Sequence, residues 1–220
     1  MRKKSYHRWL FLAAMAVMPC GAATIHVEIF PGTAAPPATL GGYVMQAFPT
    51  ELRPEFTMVS DAAAPDGGTL SFDSPVELDH IGGSGWSTWS NGYTGSVYQT
   101  YGNRLSLAFP AGTQAFYLYI QPMLKDFFEF TVDAQGISTP LLISGNAGAR
   151  YLGIYTDDPS FSLTGLTIDQ IGNSADGFAV GEFGVDGDIN AIPEPGNLLG
   201  LGCVLASGLM VRNRRRRSTP

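Results

Sequence analysis

The chain has 220 residues, with 13 Lys and Arg against 19 Asp and Glu for a formal net charge of −6, and it carries 27 Gly, three His and two Cys. Two cysteines cannot frame a disulfide-stapled scaffold, and so few soft ligands leave a zinc site short of donors. The acidic balance argues against nucleic acid, whose binding rests on neutralising phosphates with Lys and Arg.

At the N-terminus Arg2, Lys3, Lys4 and Arg8 precede an apolar run over 9–18, and Gly21-Ala22-Ala23 supplies the small residues that a signal peptidase reads. This is the layout of a secretory signal peptide, so residues 1–23 are expected to be removed by cleavage before Thr24. Cys20 admits a lipoprotein alternative, for which Met18-Pro19 is a poor lead-in.

From 24 to about 55, Pro31, Pro36, Pro37, Pro49 and Pro54 with Gly41-Gly42 either interrupt single strands or mark a loosely ordered entry segment. Beyond it the chain is made of short apolar or alternating runs broken by Gly, Pro, Asn and Asp. Residues 115–120 alternate, with Phe116, Leu118 and Ile120 on one face and Tyr117 and Tyr119 on the other. Phe128, Phe130 and Val132 repeat the pattern against Glu129, Thr131 and Asp133. Period two with aromatic and β-branched enrichment predicts half-buried strands. Further strands are expected over 56–60, 69–72, 76–81, 104–109, 137–144, 150–156, 161–169 and 178–185. They are separated by turn signals such as Asn91-Gly92 and Asp157-Asp158-Pro159. Helical spacing is nearly absent, so the expected class is all-β, an antiparallel β-sandwich or jelly roll over 24–185.

Polar residues 186–195 read as a linker, extended and open to a processing enzyme. The apolar run 196–211 follows, and then Arg212, Arg214, Arg215, Arg216 and Arg217 over 212–220. An apolar segment trailed by fixed cations is the layout of a single C-terminal transmembrane helix with a cytoplasmic basic end. At ~1.5 Å per residue the run reaches about 24 Å against a hydrocarbon core of roughly 30 Å, a marginal span suited to a transient stop. With nine cations in the two ends, four basic residues stand against eighteen acids between Thr24 and Asn190. The exported body is therefore far more acidic than the whole chain, and it contains no Cys.

Ile192-Pro193-Glu194-Pro195, the apolar run and the Arg block together resemble the PEP-CTERM sorting signal of exopolysaccharide-producing Gram-negative bacteria, with Ile where Val is commoner before the tripeptide. The resemblance implies sorting through Pro193, Glu194, Pro195 and the five arginines by exosortase, an integral-membrane protease-transpeptidase. A second set of motifs runs Trp86-Ser87-Thr88-Trp89-Ser90, Gly92-Tyr93-Thr94-Gly95, Ala115-Phe116-Tyr117, 148–155 and 178–184. These resemble an ectodomain that recurs among PEP-CTERM proteins, which implies a β fold and no particular activity.

Trp86, Trp89, Tyr93, Tyr98 and Tyr101 crowd a stretch that also holds Ser, Thr, Asn and Gln. Aromatic faces stack on sugar rings while amides and hydroxyls bond sugar hydroxyls, so Trp86, Trp89, Tyr93 and Tyr98 are the candidate glycan-binding residues. The plainer reading is that the tryptophans anchor the core. Asp157, Asp158, Asp186 and Asp188 are candidate Ca²⁺ ligands, although the loop from Asp186 has Ala191 where an EF-hand needs Gly. Solvated turns explain the same acids. No other cofactor is expected.

No catalytic residue is assigned. Gly82-Gly83-Ser84-Gly85-Trp86 misses the nucleophile elbow at its last position. The expected role is a structural or adhesive protein of the cell envelope or exopolysaccharide matrix, held at the membrane before sorting. A glycan-binding module is the alternative, and a polysaccharide hydrolase acting through paired carboxylates a second one.

Overall fold

The computed structural model describes residues 23–30, 34–65, 67–172 and 175–187. Among them are thirteen strands and no helix, so none is long and apolar enough to cross a membrane. The expected transmembrane run 196–211, the sorting motif and Asp188 lie outside the described residues.

In chain order the strands are β1 Ile25–Phe30, β2 Thr39–Leu40, β3 Tyr43–Ala47, β4 Thr57–Ala63, β5 Thr69–His80, β6 Ser96–Thr100 and β7 Arg104–Ala108. There follow β8 Ala115–Pro122, β9 Phe127–Ala134, β10 Ile137–Ser144, β11 Arg150–Thr156, β12 Gly165–Ile171 and β13 Phe178–Asp186. Every described pairing is antiparallel, and the main path runs β1-β11-β8-β13-β6-β5-β7-β12-β9-β10. Asp186, expected in the linker, is the last residue of β13. The Pro-rich entry segment contributes three strands, β1 to β3.

The sheet folds over on itself at β5. Its C-terminal part pairs with β6 at Glu77 to His80, whereas its N-terminal part pairs with β7 at Ser71 and Phe72. Between them the register with β4 breaks, Val59 facing Val76 and Asp61 facing Ser71. Pro75 falls in that break, where its missing N–H costs no ladder bond. The two expected strands 69–72 and 76–81 are thus one strand with a bend. The result is a sandwich curled toward a barrel, with Phe116, Leu118, Ile120 and Val180 of one layer packed into the same core as Leu107, Phe130, Val132 and Ile168 of the other.

The half-burial expected for 115–120 does not hold, because all eight residues of β8 are buried. Its second face, with Tyr117 and Tyr119, is covered as well, by Leu40, Ala149 and Tyr151 in a separate apolar cluster. A third cluster joins Trp86 to Val97 and Ala179. The 81–95 segment therefore lies across the outer face of β5, β6, β13 and β8, and that face holds the candidate site.

Candidate functional site

Residues 81–95 are clamped to the sheet by a carboxylate. On β13 the register against β8 slips between Gly181 and Gly184, which face Tyr119 and Tyr117. One extra residue in the strand is a β-bulge, and it reverses which side chains face the core. Phe178 and Val180 point inward before it, Phe183 and Val185 after it. Glu182, at φ 50°, is thereby turned onto the outer face. There its Oε2 accepts the Trp89 indole N–H at 3.1 Å and its two oxygens take the Asn91 amide at 3.0 and 3.2 Å. Burial pushes the Glu182 carboxyl up to about 7, against the pull of these two donors.

The four aromatic residues proposed for glycan contact divide accordingly. Trp86 is only 7% exposed and meets Trp89 edge to face at 6.3 Å. Tyr93 is half-buried and donates to the Ser96 carbonyl at 3.0 Å. Tyr98 belongs to the main core, stacked on Phe183 at 5.4 Å, so its ring offers no face to a ligand in solution. Trp86, Trp89 and Tyr93 are brought together and Tyr98 is not.

Beside Trp86 the segment and the sheet enclose a cleft of about 390 Å³. Its floor is a row of side chains at one level of four adjacent strands. Glu77 of β5 faces Gln99 of β6, Gln99 faces Ala179 of β13, and Ala179 faces Gln121 of β8. Strand spacing makes that row roughly 14 Å long, longer than one sugar ring. Ala179, between the two glutamines, is fully buried in the cluster with Trp86. Asp79, two residues beyond Glu77, shares the same face. Phe56 and Tyr101 stand on the rim, 53% and 61% exposed, together with Lys125. Phe56 holds a φ of 62°, strained for a bulky side chain.

The cleft holds buried acceptors that no donor meets among the described residues. Gln121 gives its amide N–H to Thr88 Oγ1 at 3.0 Å, but its Oε1 meets no partner among the described residues. Both carboxylate oxygens of Asp79 are likewise without one, although Asp79 is 1% exposed. Burial, then the charges of Glu77 and Glu55, push the Asp79 carboxyl up to about 6. Glu77 accepts the Tyr101 hydroxyl at 2.9 Å.

The acids proposed for Ca²⁺ are engaged locally. Asp157 accepts the Thr24 N–H at 2.7 Å, Asp158 takes the backbone N–H and hydroxyl of Ser160 at 2.8 and 2.6 Å, and Asp186 accepts the N–H groups of Gln114 and Ala115 at 2.9 and 3.0 Å. Among the described residues no three Asp, Glu, His or Cys side chains converge as metal ligands would.

Sequence reasoning included Tyr101 in the aromatic crowd but missed Glu77, Asp79, Gln99, Gln121 and Phe56. The available signal was polar residues inside otherwise apolar strands, Gln99 beside Tyr98 and Gln121 beside Ile120. Only the register shows that they form one row.

No family model matches the chain, and no curated protein matches it. Among solved structures, the C-terminal CBM6 of LamC, a marine laminarinase from Zobellia galactanivorans, aligns with 62% of this chain and 98% of that one at 12% identity and a TM-score of 0.12. A superposition that loose carries no argument about fold or ligand.

Proposed function

We propose that this protein is an exported adhesive component of the cell envelope or exopolysaccharide matrix, and that its β domain holds a saccharide in the cleft beside Trp86. The observation that carries this reading is the polar floor of Glu77, Gln99 and Gln121 beside the exposed rings of Phe56 and Tyr101. Buried acceptors without donors call for a ligand rich in hydroxyls, and rim rings supply faces for sugar C–H groups. The glycan reading thus moves from the aromatic segment as a whole to one end of it. Trp86 serves as a wall, and Trp89 and Tyr93 hold the wall in place.

Delivery rests on sequence. The signal peptide over 1–23 and the tail resembling a PEP-CTERM signal support export followed by exosortase sorting, with Pro193-Glu194-Pro195 as the recognised tripeptide. The acidic body suits a soluble or matrix environment and not an anionic lipid surface.

Calorimetric titration of the detergent-solubilised full chain against a panel of soluble oligosaccharides tests the reading. At least one oligosaccharide class is expected to bind saturably. Tyr101→Ala and Gln121→Ala should each weaken it about tenfold, roughly 1.4 kcal/mol, with the near-UV spectrum unchanged. A panel without any saturable binder returns the protein to a purely structural role. Release of new reducing ends would instead make it a hydrolase.

A further inference from the structure

We propose that the β5 end of the cleft is a subsite for a primary ammonium group, so that the saccharide class it selects is an amino-bearing one. This rests on the proposed saccharide reading and sharpens it.

The argument starts from what the floor lacks. Asp79 lines the cleft wall, and its two carboxylate oxygens, closed over by the turn at Gly85, meet no donor among the described residues, at 1% exposure of the residue. An unpaired carboxylate in that position is costly, whereas one met by an opposite charge and hydrogen bonds is not. Of its neighbours only His80 acts in the opposite sense, drawing the carboxyl down against Glu77 and Glu55. Glu77 stands on the same strand face, and Glu55 reaches the same region from the segment before β4. His80, next along β5, is held elsewhere, its Nε2 3.0 Å from the Glu51 carbonyl and its Nδ1 3.8 Å from Glu55. Lys125 sits on the cleft rim and is not among the charges that act on Asp79. The local excess is negative, in a body with four basic residues against eighteen acids. An ammonium brings three donors and one positive charge, which matches Asp79 and Glu77 together.

The other end of the row is different. Gln121 Oε1 is also buried without a partner, but it is a neutral acceptor suited to a hydroxyl. Glu77 and Gln121 lie roughly 14 Å apart by strand spacing, with Asp79 one level beyond Glu77, so the two sides would read different parts of one oligosaccharide, the amine at Asp79 and a hydroxyl at Gln121. Access to Asp79 is governed by the turn over it. A Cβ placed on Gly85 would lie 2.1 Å from Asp79 Oδ1, and one on Gly83 1.8 Å from Glu55 Oε1. The glycines therefore let bare backbone close on these carboxylates, in a turn held by the Gly82 N–H on the Trp86 carbonyl at 3.0 Å.

Titration of the full chain at pH 6.5, where linked glucosamine carries a substantial ammonium fraction and Asp79 is still largely ionised, with β-1,4-linked glucosamine oligomers, their N-acetylated counterparts and glucose oligomers of equal length separates the alternatives. The amine form is expected to bind at least tenfold more tightly than either neutral form. Asp79→Asn should remove that preference while leaving the neutral oligomers unchanged, and Glu129→Gln, an exposed strand acid on β9, should keep it. In the unaltered protein the preference should shrink as pH falls below about 6, where Asp79 takes up its proton. Equal binding of amine and neutral forms overturns the subsite and leaves the saccharide reading standing. Equal loss in the Asp79 and Glu129 variants overturns it too, by showing attraction to diffuse charge. Failure of all three oligomers to bind overturns the amine subsite, while the saccharide reading falls only if the wider panel also yields no saturable binder.

Discussion

A carboxyl group enclosed by Trp89, Asn91 and the outer face of β13 keeps its proton to a higher pH than a solvated one. For Glu182 the shift is from 4.5 to about 7. Between those values the folded protein holds a proton that the unfolded chain has already released, so stability falls as pH rises through this window. At about 1.4 kcal/mol per pKa unit the full loss is on the order of 3 kcal/mol. Asp79, raised from 3.8 to about 6, adds a loss of the same sign at lower pH. Urea midpoints measured from pH 4 to 7 should therefore decline, and Glu182→Gln should flatten the curve between about pH 4.5 and 7, most clearly above pH 6 where Asp79 no longer contributes. A variant curve parallel to the parent's would mean that the bulge leaves Glu182 solvated. The strand expected over 178–185 carried no bulge, although apolar residues at 178 and 180 followed by apolar residues at 183 and 185 are a slip of one in period two. What the slip does to Glu182 was not legible, because Trp89 and Asn91 approach it from some ninety residues away, at separations of 93 and 91.

At the level of elements, alternation located the strands but could not say what covers them. β9, β10, β11 and β13 fall close to their expected bounds because turn residues such as Asp133-Ala134-Gln135-Gly136 delimit them. β8 reads as two-faced in sequence, yet Tyr117 and Tyr119 are buried because the segment from Leu40 and the aromatic clusters close over them. Burial of the phenols holds the Tyr117 hydroxyl up to about 12, out of reach of physiological titration. The clamp on residues 81–95 has a second point, where the Ser90 hydroxyl donates to the Ala149 carbonyl. Gly148 permits it, with φ 82° and a would-be Cβ only 2.9 Å from Ser90 Oγ and 3.0 Å from the Trp89 carbonyl. Gly148→Ala is expected to cost roughly 1–3 kcal/mol through strain and a displaced segment. Tryptophan emission should shift to the red as Trp89 loses contact with Glu182. An unshifted spectrum with unchanged stability would show that the clamp tolerates a side chain there.

For the whole molecule, the sheet path leaves β1 at one end and β10 at the other. β10 carries Pro140, a residue that blunts an exposed edge. Among the described strands β1 pairs with β11 only, while Ile25, Val27 and Ile29 pack against the main core; just before it the Thr24 nitrogen lies 2.7 Å from Asp157 Oδ1, with the Asp157 N–H returned to the Thr24 carbonyl at 3.2 Å. Removal of residues 1–23 would turn that nitrogen into a free ammonium facing a carboxylate whose proton affinity is already lowered, above all by the Thr24 N–H. A hydrogen bond would thus become a charge-assisted one at the moment of export, tightening the edge strand of the mature domain. Mass spectrometry of the native protein should find Thr24 at the amino end and no Arg212 to Arg217 block at the other. Amides of β1 should then exchange more slowly in that form than in a chain extended or acetylated at Thr24. The difference should shrink in high salt, since the pair is exposed, and vanish in Asp157→Asn. Equal protection of β1 in the free and blocked forms would separate export from the docking of this strand.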